Sequence, residues 1–247
     1  MKRLDVALVA RGLSPSREKA RRDIMAGLVK INEQPARKPS DSVKETDVLS
    51  IAAGAKYVSR GGQKLEHALA HFHLDVHGQT AIDIGASTGG FTDCLLQHGV
   101  ARVYAVDVGH GQLAWKLRSD PRVVVMEQTN ARHLVASDFV QPFTAVDMVV
   151  IDCSFISLRK ILPRAVALLR ASGNIVALIK PQFEAGKDEA DKGAGVISDP
   201  AIHQRVIRDL EAFASTMSGM RWCQVIESPL LGPAGNKEFF ALIEKTR

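Results

Sequence analysis

The sequence predicts an α/β protein in which a mostly parallel sheet is covered by helices on both faces and preceded by a small α+β module. Three observations carry this. Beyond about residue 60, short β-branched runs alternate with helical segments. One run, Ala81-Ile82-Asp83-Ile84, breaks into Gly85-Ala86-Ser87-Thr88-Gly89-Gly90-Phe91, the strand, turn and helix start of a nucleotide-type cofactor site. Positive charge is also concentrated early: residues 1–60 hold 13 Lys or Arg against 7 Asp or Glu, and the other 187 residues hold 19 against 20. A basic first quarter suits a polyanionic partner, although a merely soluble basic surface has the same composition.

The elements follow in order. Leu4, Ala7 and Leu8 recur at helical spacing and Gly12 stops that helix. Ser14 and Pro15 introduce a second helix, from about Ser16 to Ala26, with Ala20 and Ile24 on one face, and Gly27 ends it. Leu28 to Pro35 reads as a strand into a tight turn, and Val48 to Ile51 as another strand. The Gly54–Gly62 region, with Ser59-Arg60-Gly61-Gly62, reads as a flexible joint. A helix from Gln63 to His71 follows, with Leu65, Ala68, Leu69 and Phe72 on its apolar face. Strands are then expected at 80–84, 102–107, 122–126, 146–151, 174–179, 222–227 and 237–244, with helices in most intervals. The segment Gly186 to Gly195, charged and rich in glycine, reads as a mobile loop or a solvent-facing connector.

Three nucleotide classes compete for the glycine loop. A phosphate-binding loop for ATP or GTP needs a lysine behind its glycines, and Gly89-Gly90-Phe91-Thr92 has none. A dinucleotide fingerprint needs glycine where Ser87 stands. S-adenosylmethionine has no pyrophosphate and suits the bulkier loop, with Asp83 toward its amino acid end. Asp107, 22 residues beyond Gly85 at the end of the next strand, is placed to receive ribose hydroxyls. A glycine turn serving only strand–helix packing would use the same residues.

Ligands of an open parallel sheet lie beyond the carboxyl ends of its strands. Asp152 ends Met148-Val149-Val150-Ile151, and Lys180 ends Ile175-Val176-Ala177-Leu178-Ile179, so both charges arrive at that edge. A structural ion pair between strand ends would satisfy the same pattern. Lys64 and Glu238 are weaker signals, since exposed Lys and Glu mostly solvate a surface. Asn130, after Val123 to Met126, is either an adenine contact or a turn cap. Phe155 and Phe183 are expected to pack in the core, with contact to a displaced base as the alternative. Cys94, Cys153 and Cys223 have neither metal-ligand spacing nor a disulfide framework, which suits reduced thiols in the cytoplasm. No apolar run approaches the ~18 residues of a membrane span, and charges from Arg11 onward interrupt any signal-like core.

With these residues together, the chain resembles the bacterial TlyA-type ribosomal RNA ribose methyltransferases, once labelled hemolysins, over nearly its whole length. The resemblance is carried by Ser59 to Leu65, Asp83 to Phe91, Asp152-Cys153-Ser154-Phe155-Ile156-Ser157, Lys180-Pro181-Gln182-Phe183-Glu184 and Gly235-Asn236-Lys237-Glu238-Phe239. It implies a domain similar to that of ribosomal protein S-four at 1–58, including a linker at 55–58. An FtsJ-like domain follows at 59–247, with the Rossmann-like methyltransferase sheet and its reversed final strand.

The resemblance also implies a catalytic tetrad of Lys64, Asp152, Lys180 and Glu238. A 2'-hydroxyl is a poor nucleophile until a base or an oriented polar group activates it. Lys180 would receive or orient its proton, Asp152 and Glu238 would orient the lysines, and Lys64 would stabilise the developing alkoxide. Whether Lys180 is a literal base stays open. S-adenosylmethionine would be held by Asp83, Gly85, Ala86, Ser87, Thr88, Gly89, Gly90 and Phe91 of the loop, by Asp107 and Val108, by Asn130 and Ala131, and by Asp152. Gly109 to Leu113 would line the adenosine, with His110 where relatives are expected to carry tyrosine. Arg3, Arg11, Arg17, Arg21, Arg22, Lys30 and Arg60 are the expected RNA contacts. The implied substrate is a cytidine of ribosomal RNA, in the large subunit because the N-terminus is compact, within a ribosomal subunit. No metal, DNA or membrane partner is expected, and the oligomeric state stays open. A donor-sensing RNA-binding assembly protein is the alternative; membrane lysis is disfavoured.

Overall fold

The structure is a computed structural model that describes residues 1–25, 27–51, 56–232 and 234–246; within it the side chains of Arg22, Lys187, Ala190 and Lys192 are not described. Ala55 of the expected linker and Gly54 of the expected joint lie outside the described residues. Two compact units divide the chain, Met1–Lys56 and Tyr57–Arg247.

In the first unit, β1 (Lys2–Arg3) leads into α1 (Leu4–Ala10), α2 (Arg17–Met25), β2 (Val29–Ile31), β3 (Gln34–Pro35), β4 (Ser42–Val43) and β5 (Leu49–Ile51). The apolar face read from the sequence forms the core: Leu4, Ala7, Leu8, Ala20 and Ile24 pack with Val29, Val43 and Leu49. Ser16 caps α2 by accepting the Lys19 N–H at 3.2 Å. The β2–β3 turn runs through Asn32 and Glu33, both at positive φ (48° and 66°), as a two-residue hairpin of this hand requires. Strand order β3-β2-β5 follows, with β1 and β4 as a separate ribbon. That ribbon was not predicted, because strands of two residues each leave no periodicity to read.

Charge is organised inside this unit as well. Asp5 is fully buried. Arg3 donates to it through Nε and Nη2 at 3.1 and 3.2 Å, and Arg17 Nη2 does so at 3.1 Å. These bonds, Arg3's foremost, hold the Asp5 carboxyl down at about 2. Arg11 donates to the carbonyls of Asp47, Lys44 and Glu45 at 2.5, 2.8 and 3.2 Å, tying the end of α1 to that turn.

The second unit comprises α3 (Arg60–His71), β6 (Thr80–Ile84), α4 (Gly90–Gln97), β7 (Arg102–Val106), α5 (Trp115–Arg118), β8 (Val123–Met126), β9 (Val146–Ile151), α6 (Leu162–Leu168), β10 (Leu169–Ile179), α7 (Pro181–Glu184), α8 (Lys187–Lys192), α9 (Pro200–Ser215), β11 (Met220–Glu227) and β12 (Phe239–Lys245). Its seven strands lie in the order β11-β12-β10-β9-β6-β7-β8. Strands β10, β9, β6, β7 and β8 are parallel, and β12 runs antiparallel to both β10 and β11. This is the Rossmann-like sheet with a reversed final strand.

Alternation along the strands separates two cores. Ile82 and Ile84 join a core with Leu162, Ala165, Val206 and Leu210, residues of α6 and α9. Ala81 faces the other core, with Leu65, Leu69, Cys94 and Leu95 of α3 and α4.

One expectation is corrected. The stretch Ser59–Gly62 is not a flexible joint: α3 begins at Arg60, and Gly62 is buried where a Cβ would lie 2.2 Å from the Tyr57 ring. Its glycine serves close packing instead of flexibility, two uses that look alike in sequence. The segment Gly186 to Gly195, read as a mobile loop or a solvent-facing connector, contains the short helix α8, with Glu189 accepting the Gly186 N–H at 3.1 Å. Gly62→Ala is therefore expected to destabilise the protein by about 1–3 kcal/mol through overpacking, seen as a lower urea midpoint.

Candidate active site

Parallel pairing of β6, β7, β9 and β10 puts their carboxyl ends on one edge, and each delivers a predicted residue there: Gly85, Asp107, Asp152 and Lys180. Because β12 is reversed, Glu238, just before it, reaches the same edge. Lys64 comes from α3.

The glycine loop forms one half of the site. Gly85 has φ of +85°, and a Cβ there would stand 2.5 Å from the Asp152 carbonyl oxygen, so the loop presses on the β9 end as only glycine permits. Gly85 and Ala86 N–H groups donate to the Val106 carbonyl at 2.9 and 3.1 Å. Asp107 receives Ser87 N–H on Oδ2 (2.8 Å) and Gly109 N–H on Oδ1 (2.7 Å), which locks the loop to the end of β7. Asp83 is fully buried and accepts Thr92 Oγ1–H on Oδ2 at 2.7 Å. Its Oδ1 has no partner among the described residues. Burial, opposed by Thr92 and reinforced by Asp152 and Asp107, raises this carboxyl to about 7.

A cavity of about 430 Å³ lies beside this loop, lined among others by Gly85, Ser87, Asp107, Val108, Asn130, Ala131 and Asp152. Asn130 serves as a turn cap too, since its Oδ1 accepts the Arg132 N–H at 3.0 Å. His110 does not line the cavity; its exposed ring lies 3.4 Å from Glu127. Gln112 of the same stretch does line it.

A second cavity of about 710 Å³ shares Gly85, Ser87 and Asp152 with the first and adds Ala86, Thr88, Gly90 and Phe91 with Lys64, Lys180 and Glu238. Gly89 and Asp83 line neither; Gly89, at φ of +95°, makes the turn into α4. Lys64 Nζ lies 2.5 Å from Glu238 Oε2, with both side chains over nine-tenths buried. Lys180 Nζ lies 2.5 Å from Asp152 Oδ1 and donates to Ser154 Oγ at 3.0 Å. The four charges are thus two lysine–carboxylate pairs on one cavity. Glu238 Oε1 is buried and has no partner among the described residues.

Phe155 corrects the core-packing expectation. Its backbone takes φ of +62° and its side chain is 90% exposed, lining both cavities 5.0 Å from the Phe183 ring. Arg60 lines the larger cavity. In the first unit Arg3, Arg11, Arg17, Arg21 and Lys30 are exposed, three of them bearing the structural bonds described above, while the Arg22 side chain lies outside the description.

Sequence reasoning missed two clamps. Glu184 accepts Ser157 Oγ–H (2.6 Å) and Leu158 N–H (2.7 Å), joining the segment after Lys180 to the segment after Asp152. Burial raises its pKa. Asn236, 1% exposed, donates to the Gly195 carbonyl at 2.9 Å and accepts the Ile197 N–H at 2.8 Å. It joins the segment beyond α8 to the approach to Glu238. Both lie inside the motif blocks, but their partners are backbone groups 26 and 39 residues away, which no local spacing reveals.

Residues 57–245 match the FtsJ-like methyltransferase family. The chain belongs to that family. Residues 2–49 match the S4 domain. The chain is 48% identical over 239 residues to YqxC of Bacillus subtilis, provisionally named an rRNA methyltransferase, covering 96% of this chain and 83% of that protein. It is 46% identical over 240 residues to TlyA of Mycobacterium tuberculosis, named a 16S/23S rRNA (cytidine-2'-O)-methyltransferase, covering 96% and 88%. A solved structure from Streptococcus thermophilus, provisionally described as a hemolysin, superposes with a TM-score of 0.75 at 46% identity, covering 99% of this chain and 88% of that one. Among the described residues, no helix of this FtsJ-like methyltransferase is long and apolar enough to cross a membrane.

The Asn236 clamp leads to a direct expectation. Asn236→Ala leaves a buried N–H unpaired, so it should cost about 1–3 kcal/mol and speed hydrogen exchange at the Ile197 amide.

Proposed function

We propose that the chain methylates the 2'-hydroxyl of a cytidine in ribosomal RNA, with S-adenosylmethionine as donor. The observation that supports this best is the convergence of the Lys64–Glu238 and Lys180–Asp152 pairs on one cavity beside the glycine loop. Binding alone does not require a buried ion pair and a half-buried one side by side, each of which costs desolvation.

The residues fit the donor. Asp83, buried beneath the loop and lining neither cavity, carries an unpartnered carboxylate oxygen whose negative charge would favour the donor's ammonium group nearby. Gly85 and Ser87 would supply the close loop, Asp107 would receive the ribose hydroxyls, and Val108, Asn130 and Ala131, which line the smaller cavity, would hold the adenosine. When bound, the donor supplies a methyl group on a positively charged sulfur, ready for attack by an oxygen nucleophile.

The chain's own groups then act on the acceptor. Lys180 Nζ, fixed by Asp152 and Ser154, orients the ribose hydroxyl and takes up its proton while passing one of its own to the paired Asp152 carboxylate. Lys64, held by Glu238, stabilises negative charge as it develops on that oxygen. Phe155 and Phe183 offer aromatic surface to a base turned out of its stack. The exposed basic side chains of the first unit, Arg21 and Lys30 among them, hold RNA phosphates, leaving nucleotide choice to the pocket. The proposed target lies in the large subunit, with small-subunit RNA as the contrasting substrate.

Two outcomes are expected. Purified protein incubated with labelled S-adenosylmethionine and unmodified ribosomal RNA, free and in each subunit, should place the label on a cytidine ribose of the large subunit. Lys180→Ala should slow transfer by roughly 100- to 10,000-fold while leaving RNA binding intact; tight RNA binding without transfer by the unaltered protein would support the assembly-protein reading instead. Separately, the Asp83 carboxyl, raised to about 7 in the free protein, must ionise for its charge to attract an ammonium group. Affinity for S-adenosylhomocysteine should therefore rise as pH rises through about 7, and Asp83→Asn should flatten that dependence in calorimetric titrations.

A further inference from the structure

Gln182 is the second residue of the short helix α7, two positions beyond Lys180. Its Oε1 is buried and accepts no hydrogen bond among the described residues. Leaving such an acceptor unmet is costly, so it favours any hydrogen-bond donor that enters the cavity beside it. Whichever way the carboxamide is turned, one of its polar ends occupies that position.

The location indicates which ligand. Gln182 lines the larger cavity, which holds both lysine–carboxylate pairs together with Phe155 and Phe183. It does not line the smaller one, where Asp107, Asn130 and Ala131 gather at the adenosine side of the donor. Its neighbour Phe183 packs against Phe155, which is 90% exposed and whose face is available for stacking. An aromatic face and a carboxamide edge in one cavity are the two elements that recognise an unstacked base, the first by stacking and the second by hydrogen bonding to its Watson–Crick edge.

We propose that Gln182 is the residue that reads the Watson–Crick edge of the target base, with Oε1 accepting from the exocyclic amino group of cytosine and the amide N–H₂ donating to the ring nitrogen beside it. This rests on the ribose methyltransferase reading and names a specificity determinant within it. A uracil presents the opposite donor and acceptor order, so the cavity must hold the amide in one orientation for cytosine to be preferred.

The test uses the full-length protein and matched rRNA fragments carrying cytidine or uridine at the methylated position. Gln182→Leu keeps the volume and removes both hydrogen bonds. It should lower kcat/KM for the cytidine fragment by roughly 10- to 100-fold, as loss of a bidentate base contact does, without changing the affinity for S-adenosylhomocysteine. Gln182→Glu keeps the acceptor. It should retain more activity on cytidine than the leucine variant and discriminate against uridine at least as strongly as the unaltered protein. A leucine variant that matches the unaltered protein on both fragments overturns the assignment, as does one whose loss of activity is matched by loss of donor affinity. If the unaltered protein methylates no RNA, the ribose methyltransferase reading falls and this inference with it.

Discussion

The Lys64–Glu238 pair is the contact on which the rest of the site depends. Its partners are 174 residues apart and both are nearly sealed from water. A charge in such a place must be paired, and removing one partner of a buried pair costs about 3–5 kcal/mol. Three features are needed to make the contact. Helix α3 must pack tightly, which Gly62 permits against Tyr57. Strand β12 must run opposite to its neighbours, so that Glu238 emerges at the edge where the parallel strands end. Asn236 must hold the approach to that strand against residues 195–197.

Much of this was legible in the sequence because it rests on local pattern. The seven sheet strands of the second unit were predictable from β-branched runs, and Asp107, Asp152 and Lys180 were visible as charges ending apolar strands. The reversed strand was not: its direction came from family resemblance, since Phe239-Phe240-Ala241-Leu242-Ile243 reads the same whichever way it lies in the sheet. The glycines of Ser59–Gly62 misled for a related reason. A glycine that permits a close approach and one that permits bending have the same composition, and only the ring of Tyr57 distinguishes them. Phe155 was assigned to the core on residue type alone, whereas its positive φ and exposed ring place it at the cavity mouth.

Glu184 and Asn236 show where sequence reading ends. Each uses a polar side chain to satisfy backbone groups of a distant segment, a contact that carries no periodicity and no charge signature. Their positions nevertheless explain how four charges from separate segments keep one geometry. Glu184 fastens the residues after Lys180 to those after Asp152, and Asn236 fastens the segment beyond α8 to the residues before Glu238. Reactivity between positioned groups depends on separations of a few ångströms, with 1 Å of misplacement worth about a hundredfold in rate. In that regime a buried hydrogen bond such as these contributes by fixing the groups that line the cavity.

The glycine loop and the larger cavity are also not independent. A Cβ at Gly85 would fall 2.5 Å from the Asp152 carbonyl, so the loop and the strand end that carries Asp152 share one wall. Asp152 in turn holds Lys180, and Asp83, one strand away, feels the Asp152 charge. An ammonium group beside Asp83 would compensate the negative charge that Asp152 and Asp107 impose on it, and would therefore alter the field in which Lys180 and its carboxylate sit. The loop side and the lysine side of the site are therefore coupled through charges already in place.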